Sequence, residues 1–303
     1  MDGRVRLIAL IYYKGLDQAR EKIISLFPQF ANSTFEADDT GWCNFVVKVD
    51  GNYIFRFSKD DESYSILENE TRILKSFSQR FSQTILLPDY EFSHLEHDGP
   101  FIGYKMIKGT FITRDKYLQM SQVEKDIFAE KIALFLTELH SLDVKEYKLE
   151  YRNPTAYYET CYHELMEICQ SYLSTSEKEM LIEFYKDFED DILMKEYIPS
   201  VVHGDLSDDH IILTSNGIGI IDFGDVMVFD PAYDFLWTFF YDEELFDKIY
   251  KFYNGNKDEN FKHRIQNFYL KWIPYYSISY GNKIGNRELV QQGISDLKRN
   301  IFR

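Results

Sequence analysis

Leu16, Ala19, Ile23, Leu26 and Phe27 recur at helical spacing and stop at Pro28, so the first periodic stretch predicts a helix over residues 16–27. From Thr34 the pattern changes to short apolar runs: Thr34-Phe35-Glu36, Phe45-Val46-Val47-Lys48-Val49 and Tyr53-Ile54-Phe55-Arg56-Phe57. The turn Asp50-Gly51-Asn52 separates the last two, which predicts an antiparallel meander of three strands. Ile66, Leu67, Thr71, Ile73, Leu74 and Phe77 then mark one side of a helix over 61–77. Residues 84–87 and 101–107 read as two further strands on either side of the polar turn His94 to Gly99. Lys108-Gly109-Thr110 is the best place for a hinge.

Beyond the hinge the pattern is helical. Ser121-Gln122-Val123-Glu124 is a capping box, and the helix it opens, running to about Ser141, is apolar over much of its circumference and so is expected to be central. Helices over 154–172 and 176–196 follow. Val201-Val202 and Ile211-Ile212-Leu213 then flank a polar loop, and Ser215-Asn216-Gly217 turns the chain back through Ile218 to Ile221 as a hairpin. From Pro231 helices are expected near 232–253, 259–280 and 287–301. The sum is an α+β chain of two lobes in a kinase-like arrangement: a small N-terminal β-sheet lobe over 1–104, a hinge at 105–110 and a larger, mostly helical lobe over 111–303.

A content of 45% hydrophobic residues, 17% of the chain being aromatic, supplies a sizeable core for 303 residues. The apolar run Val5 to Tyr13 is too short to span a bilayer, and Gly15 and Asp17 follow it without a signal-like cleavage segment; a cytoplasmic location is expected. Cys43, Cys161 and Cys169 are odd in number and lack metal-type pair spacing, so they read as indifferent thiols. Acidic residues outnumber basic ones by 50 to 34, a formal charge of −16, which argues against nucleic acid or an anionic membrane as partner. That charge fits a polycationic ligand, although solubility alone also accounts for it.

The chemistry gathers around the hairpin. His203-Gly204-Asp205, four residues, His210 and then Asp222-Phe223-Gly224 follow the order and spacing of a kinase catalytic loop and its metal-binding tripeptide. Asp205, His210 and Asp222 are expected to converge at one end of the hairpin, giving a carboxylate to meet a substrate and groups to hold a cation. On the third strand Arg56 stands where a kinase carries a lysine, with Lys48 and Lys59 as competitors. Glu70 lies on the side of the 61–77 helix that faces this strand, whereas Glu68 is turned away by about 200°. Of the Asp38-Asp39-Thr40-Gly41 turn, only Gly41 offers the freedom of a phosphate-covering loop. His140, at the end of the central helix, reads as a structural hydrogen-bonding residue.

Leu139-His140-Ser141-Leu142, His203-Gly204-Asp205, Ile221-Asp222-Phe223-Gly224-Asp225 and Gly103-Tyr104-Lys105-Met106-Ile107-Lys108-Gly109-Thr110 together resemble the aminoglycoside phosphotransferases, most closely the 2″-phosphotransferases of antibiotic resistance. His210, where eukaryotic kinases have asparagine, is shared with that group. The resemblance implies that Asp205 orients the substrate hydroxyl, that Asp222 binds magnesium and that His210 stands at the second metal position, although magnesium prefers oxygen ligands. It further implies that the backbone of Lys105 and Ile107 pairs with the purine, that Ile54 and Ile221 pack on its faces, and that Arg56 and Glu70 serve the phosphates. Tyr104, in the gatekeeper position, implies GTP as donor in preference to ATP.

The implied acceptor is an aminoglycoside, a polycation held by carboxylates, for which Asp225, Asp242, Glu243 and Glu244 are the candidates, with Trp272 and Tyr276 as an aromatic wall. The chain departs from its relatives at Phe240, near which several of them carry an acid. A monomer is expected. Three other readings stand beside this one: a kinase of another small alcohol, such as choline, homoserine or a macrolide sugar; a non-catalytic kinase-fold binding protein; and a metallohydrolase built on His203, Asp205, Asp209, His210 and Asp222.

Overall fold

The structure, a computed structural model, describes residues 10–13, 15–38, 44–77, 80–96, 98–147 and 149–302. Gly41 and Cys43 lie outside them. The chain forms two compact units, one of residues up to Gln119 together with Ser207–Val226, the other of Met120–Leu206 together with the residues from Met227 on.

In the first unit, helix α1 (Leu16–Leu26) precedes strands β1 (Phe35–Asp38), β2 (Asn44–Val49) and β3 (Tyr53–Ser58), helix α2 (Asp61–Phe77), and strands β4 (Ile85–Leu86), β5 (Phe92–His94), β6 (Phe101–Lys105) and β7 (Thr110–Phe111). The predicted meander is present, with Val47 opposite Phe55 and Val46 opposite Arg56. One sheet runs β1-β2-β3-β6-β5. Because strand side chains alternate, its two faces have different work. Phe45, Val47, Phe55, Phe57, Phe92 and Phe101 form an aromatic core with Ala19 and Ile23 of α1 and with Phe30. The positions between them, Ile54 and Arg56 on β3 and their partners Tyr104 and Ile102 on β6, point to the opposite face.

The strand predicted over residues 84–87 does not join this sheet. Instead β4 pairs in parallel with β10 (Ile218–Ile220), and the edge strand beside β6 is β5, from within a stretch read as connection. The predicted hairpin forms from β9 (Ile211–Leu213) and β10, with Leu213 opposite Ile218. The sequence puts this hairpin in the second lobe, yet it clusters with the first unit because it is flanked by β4 on one side and β7 on the other. The close approach is fixed at Gly217, where a Cβ would lie 1.8 Å from the Thr84 carbonyl oxygen.

The second unit is mostly helical. After α3 (Arg114–Gln119), which ends the N-terminal part of the first unit, come α4 (Gln122–His140), α5 (Pro154–Cys169) and α6 (Thr175–Asp190). Ser121 caps α4 reciprocally with Glu124, and Ser174 does the same for α6 with Glu177. Strand β8 (Ser200–Val202) pairs with β11 (Met227–Phe229). The helix expected over 232–253 is two pieces, a 3₁₀ segment Pro231–Phe240 and α7 (Glu243–Phe252), separated because Asp242 caps the second through the Leu245 N–H at 2.7 Å. The helix expected over 259–280 is divided too. It comprises α8 (Phe261–Arg264), a π segment Ile265–Tyr269, α9 (Leu270–Trp272) and α10 (Pro274–Lys283), the last set apart by Pro274, which has no N–H to continue the ladder. α11 (Arg287–Ile301) has its predicted bounds.

Among the described residues no helix is long and apolar enough to cross a membrane.

Candidate active site

Arg56 lies on the α2-facing side of β3 and is buried, 7% exposed, while Glu70 on α2 is fully enclosed. Nη1 of Arg56 reaches both Glu70 oxygens at 2.9 and 3.0 Å, and Nη2 donates to Asp222 Oδ1 at 3.0 Å. The helix spacing that favours Glu70 over Glu68 is therefore realised, and Lys48 is engaged elsewhere, with Asp38 at 3.0 Å. Glu70 Oε1 also accepts from the Tyr90 hydroxyl and, at 3.1 Å, from the Phe223 N–H. Burial alone would weaken the charge on Arg56, but Asp222 and then Glu70 outweigh it and hold the guanidinium pKa well above its ordinary value. Burial raises Glu70 above the usual carboxylate range, against the opposing pull of Arg56, Tyr90 and the Phe223 N–H.

Asp222 has φ of 65°, a left-handed conformation that aspartate tolerates better than most residues. Phe223, next to it, is fully buried, while the Asp222 side chain is 41% exposed. His210, on the turn before β9, places Nε2 3.8 Å from Asp222 Oδ2. Among the described residues no three His, Cys, Asp or Glu side chains gather into a metal-binding group. The Asp222 carboxylate, rather than the imidazole that faces it, suits a magnesium ion that would draw most of its oxygen ligands from phosphates and water.

Tyr104 sits opposite Ile54 on the Arg56 face, is 5% exposed and is tilted against Tyr90 with ring centroids 5.6 Å apart. Its phenol is pushed up to about 12, chiefly by burial. Lys105 is exposed at the end of β6, Ile54 and Ile221 are partly covered, and Ile107 lies over Gly219 of β10, where a Cβ would be 2.6 Å from the Ile107 side chain.

The second unit carries the exposed Asp205. Its loop is pinned by Asp234, which is 1% exposed: Oδ2 accepts from the His203 N–H at 2.8 Å and Oδ1 from the Gly204 N–H at 3.0 Å. His140 lies between Asp234, at 3.0 Å from Nε2, and the Tyr253 hydroxyl, at 2.7 Å from Nδ1, which is the structural role expected of it. Asp230, fully buried, is bound by Arg264 through Nε at 2.6 Å and Nη2 at 3.0 Å, and by the Tyr269 hydroxyl at 2.8 Å.

Sequence reasoning missed Asp230 and Asp234. Their signal was two acids inside the apolar run Val226 to Tyr241, since a carboxylate enclosed among apolar side chains requires partners.

The candidates for gripping the acceptor are scattered in their roles. Asp225 is exposed in the first unit. In the second, Asp242 is a helix cap and Glu244 pairs with Lys248 at 3.3 Å; the Glu243 side chain lies outside the described residues. Trp272 is corrected outright: it is 1% exposed and packed against Phe268, Phe184 and Tyr158, so it belongs to the aromatic core rather than to a wall facing an acceptor. Tyr276 is partly exposed, its hydroxyl 2.9 Å from that of Tyr233.

Residues 34–261 match the model of the phosphotransferase enzyme family (APH). Among solved structures, the chain is similar to a GDP complex of a point mutant of aminoglycoside 2′-phosphotransferase IIIa, at 21% identity and a TM-score of 0.84, over 94% of this chain and 97% of that one. It is similar to the gentamicin complex of APH(2″)-IIa, at 22% identity and 0.79, over 95% and 97%. A macrolide 2′-phosphotransferase of type I matches at 19% identity and 0.71, over 91% and 96%. At these identities the likeness carries the kinase-like α+β fold and nothing finer.

Proposed function

This chain belongs to the phosphotransferase enzyme family, and we propose that it moves the γ-phosphate of GTP to a hydroxyl of an aminoglycoside, at the 2″ position, with magnesium as cofactor. The observation that carries the reading is the Arg56, Glu70 and Asp222 cluster, a buried cation secured beside a carboxylate suited to a hard metal ion. The fold is shared with proteins solved with GDP and with gentamicin.

In this reading Asp205 accepts a hydrogen bond from the acceptor hydroxyl and orients its oxygen in line with the γ-phosphorus. The hydroxyl oxygen forms the new P–O bond and the bond to the β–γ bridging oxygen breaks. Nucleoside diphosphate leaves, and the hydroxyl proton passes through Asp205 to water. Asp222 would hold a magnesium ion, which when bound would supply positive charge to the phosphates, and His210 would steady the Asp222 side chain. Lys105 and Ile107 offer backbone groups to the purine between Ile54 and Ile221, and Tyr104 narrows the space that adenine would need.

A second acceptor class, an uncharged sugar such as that of a macrolide, is favoured by one observation. Asp242 and Glu244 are already engaged in a cap and an ion pair, which leaves them less to offer a polycation.

The test is release of nucleoside diphosphate with magnesium, GTP or ATP, and kanamycin, gentamicin, a macrolide, choline or homoserine as acceptor. Release with GTP and an aminoglycoside is the expected result. Release with a macrolide or a small alcohol alone would transfer the reading to that acceptor, and ATP as the better donor would overturn the assignment of GTP.

A further inference from the structure

Arg56 stands where a phosphate-binding lysine is expected, but its guanidinium is not aimed like an ammonium. One terminal nitrogen is spent on both oxygens of Glu70, and the other on Asp222 Oδ1. Glu70 in turn accepts from the N–H of Phe223, the residue after Asp222. The turn 222–223 is thus fastened to α2 twice, once through its side chain and once through its backbone, and both fastenings run through the Arg56 and Glu70 pair. A lysine has one nitrogen at the end of a flexible stem and cannot span two carboxylates with the same planar geometry.

Resting on the reading of Asp222 as the magnesium carboxylate, we propose that Arg56 is a positioning residue for Asp222 rather than a ligand of the phosphates. Its fork fixes the rotation of the Asp222 carboxylate by holding Oδ1, while Oδ2 is the oxygen turned toward His210, 3.8 Å away. This presets one oxygen for the metal and spares the site the ordering of a half-exposed side chain whose backbone is already in a left-handed conformation. The arrangement is an outer tie on a metal ligand, of the kind whose loss typically costs about 10- to 100-fold in metal affinity.

The test compares the full chain with Arg56→Lys, which keeps the charge against Glu70. Binding of a fluorescent GDP analogue is followed without metal and through a magnesium titration. The magnesium midpoint is expected to rise by about tenfold, with metal-free affinity for the analogue changed by less than about threefold. If metal-free affinity falls as far as affinity in magnesium while the midpoint stays put, Arg56 is a phosphate ligand and the proposal is overturned.

Asp222→Asn, tested in the same way, separates the premise from the inference. An unchanged magnesium midpoint in that variant removes Asp222 as the metal group and the proposal with it. Should Arg56→Lys not fold, the thermal unfolding of metal-free Asp222→Asn decides. The tie requires a lowered melting temperature despite the exposure of that side chain, and an unchanged one overturns it.

Discussion

At the scale of single residues, the buried carboxylate of Asp234 shows how a side chain can control a loop through backbone alone. It takes the N–H groups of His203 and Gly204, the two residues before Asp205, and is itself steadied by His140. An asparagine in its place offers one acceptor oxygen where two are used and turns an N–H₂ toward a backbone donor. Asp234→Asn is therefore expected to destabilise the fold by about 1–3 kcal/mol, read in denaturant unfolding. It should also lower turnover more than about tenfold with little change in nucleotide affinity. Full turnover in the variant would show that the pinning is irrelevant to Asp205.

Tyr104 presents a different case, since its ring is fixed by packing against Tyr90 on the same face as Arg56. Tyr104→Ala should raise kcat/KM with ATP relative to GTP; an unchanged ratio, measured side by side, would free Tyr104 from any part in donor choice. Arg56 and Glu70 were legible in the sequence because strand alternation and helix rotation fix which side chains meet. Asp234 was not, because accepting backbone N–H groups about thirty positions away leaves no spacing to read.

Elements were legible where local pattern and tertiary context agree. The bounds of α2 and α11, the capping box of α4 and the turn between β9 and β10 follow from periodicity, caps and turn residues. They were misread where long-range hydrogen bonds prevail. The 3₁₀ segment Pro231–Phe240 contains Asp234, and the π segment Ile265–Tyr269 contains the tyrosine that reaches Asp230, so both irregularities fall where side chains are drawn to distant partners.

The allocation of β4 was illegible for a related reason: two residues cannot declare which sheet they will join. That contact depends on Gly217, whose missing Cβ lets the Thr84 carbonyl approach and accept the Ile218 N–H at 3.0 Å. Gly217→Ala must push β4 away from β10, and a loss of about 1–3 kcal/mol is expected in denaturant unfolding. An unchanged midpoint would mean that β4 adds nothing to the hairpin's stability.

At the scale of the molecule, 50 acids against 34 bases set a negative field that favours cations at every surface, so charge alone does not select a site. The discriminating quantity is which carboxylates can respond to an acceptor without losing a structural duty. Asp242 separates the two possibilities, because asparagine caps a helix about as well as aspartate and lacks the charge. For an aminoglycoside held by this face, Asp242→Asn combined with Glu244→Gln should raise the drug KM several-fold at low salt and leave the nucleotide KM within about twofold.

Raising ionic strength from about 0.05 to about 0.3 M should then weaken drug binding in the parent chain more than in the variant, since screening removes what the substitution has already removed. Equal salt dependence in the two would exclude Asp242 and Glu244 from recognition. The attraction for a cation would then fall to Asp225 and the field as a whole, and the uncharged acceptor would become the stronger reading.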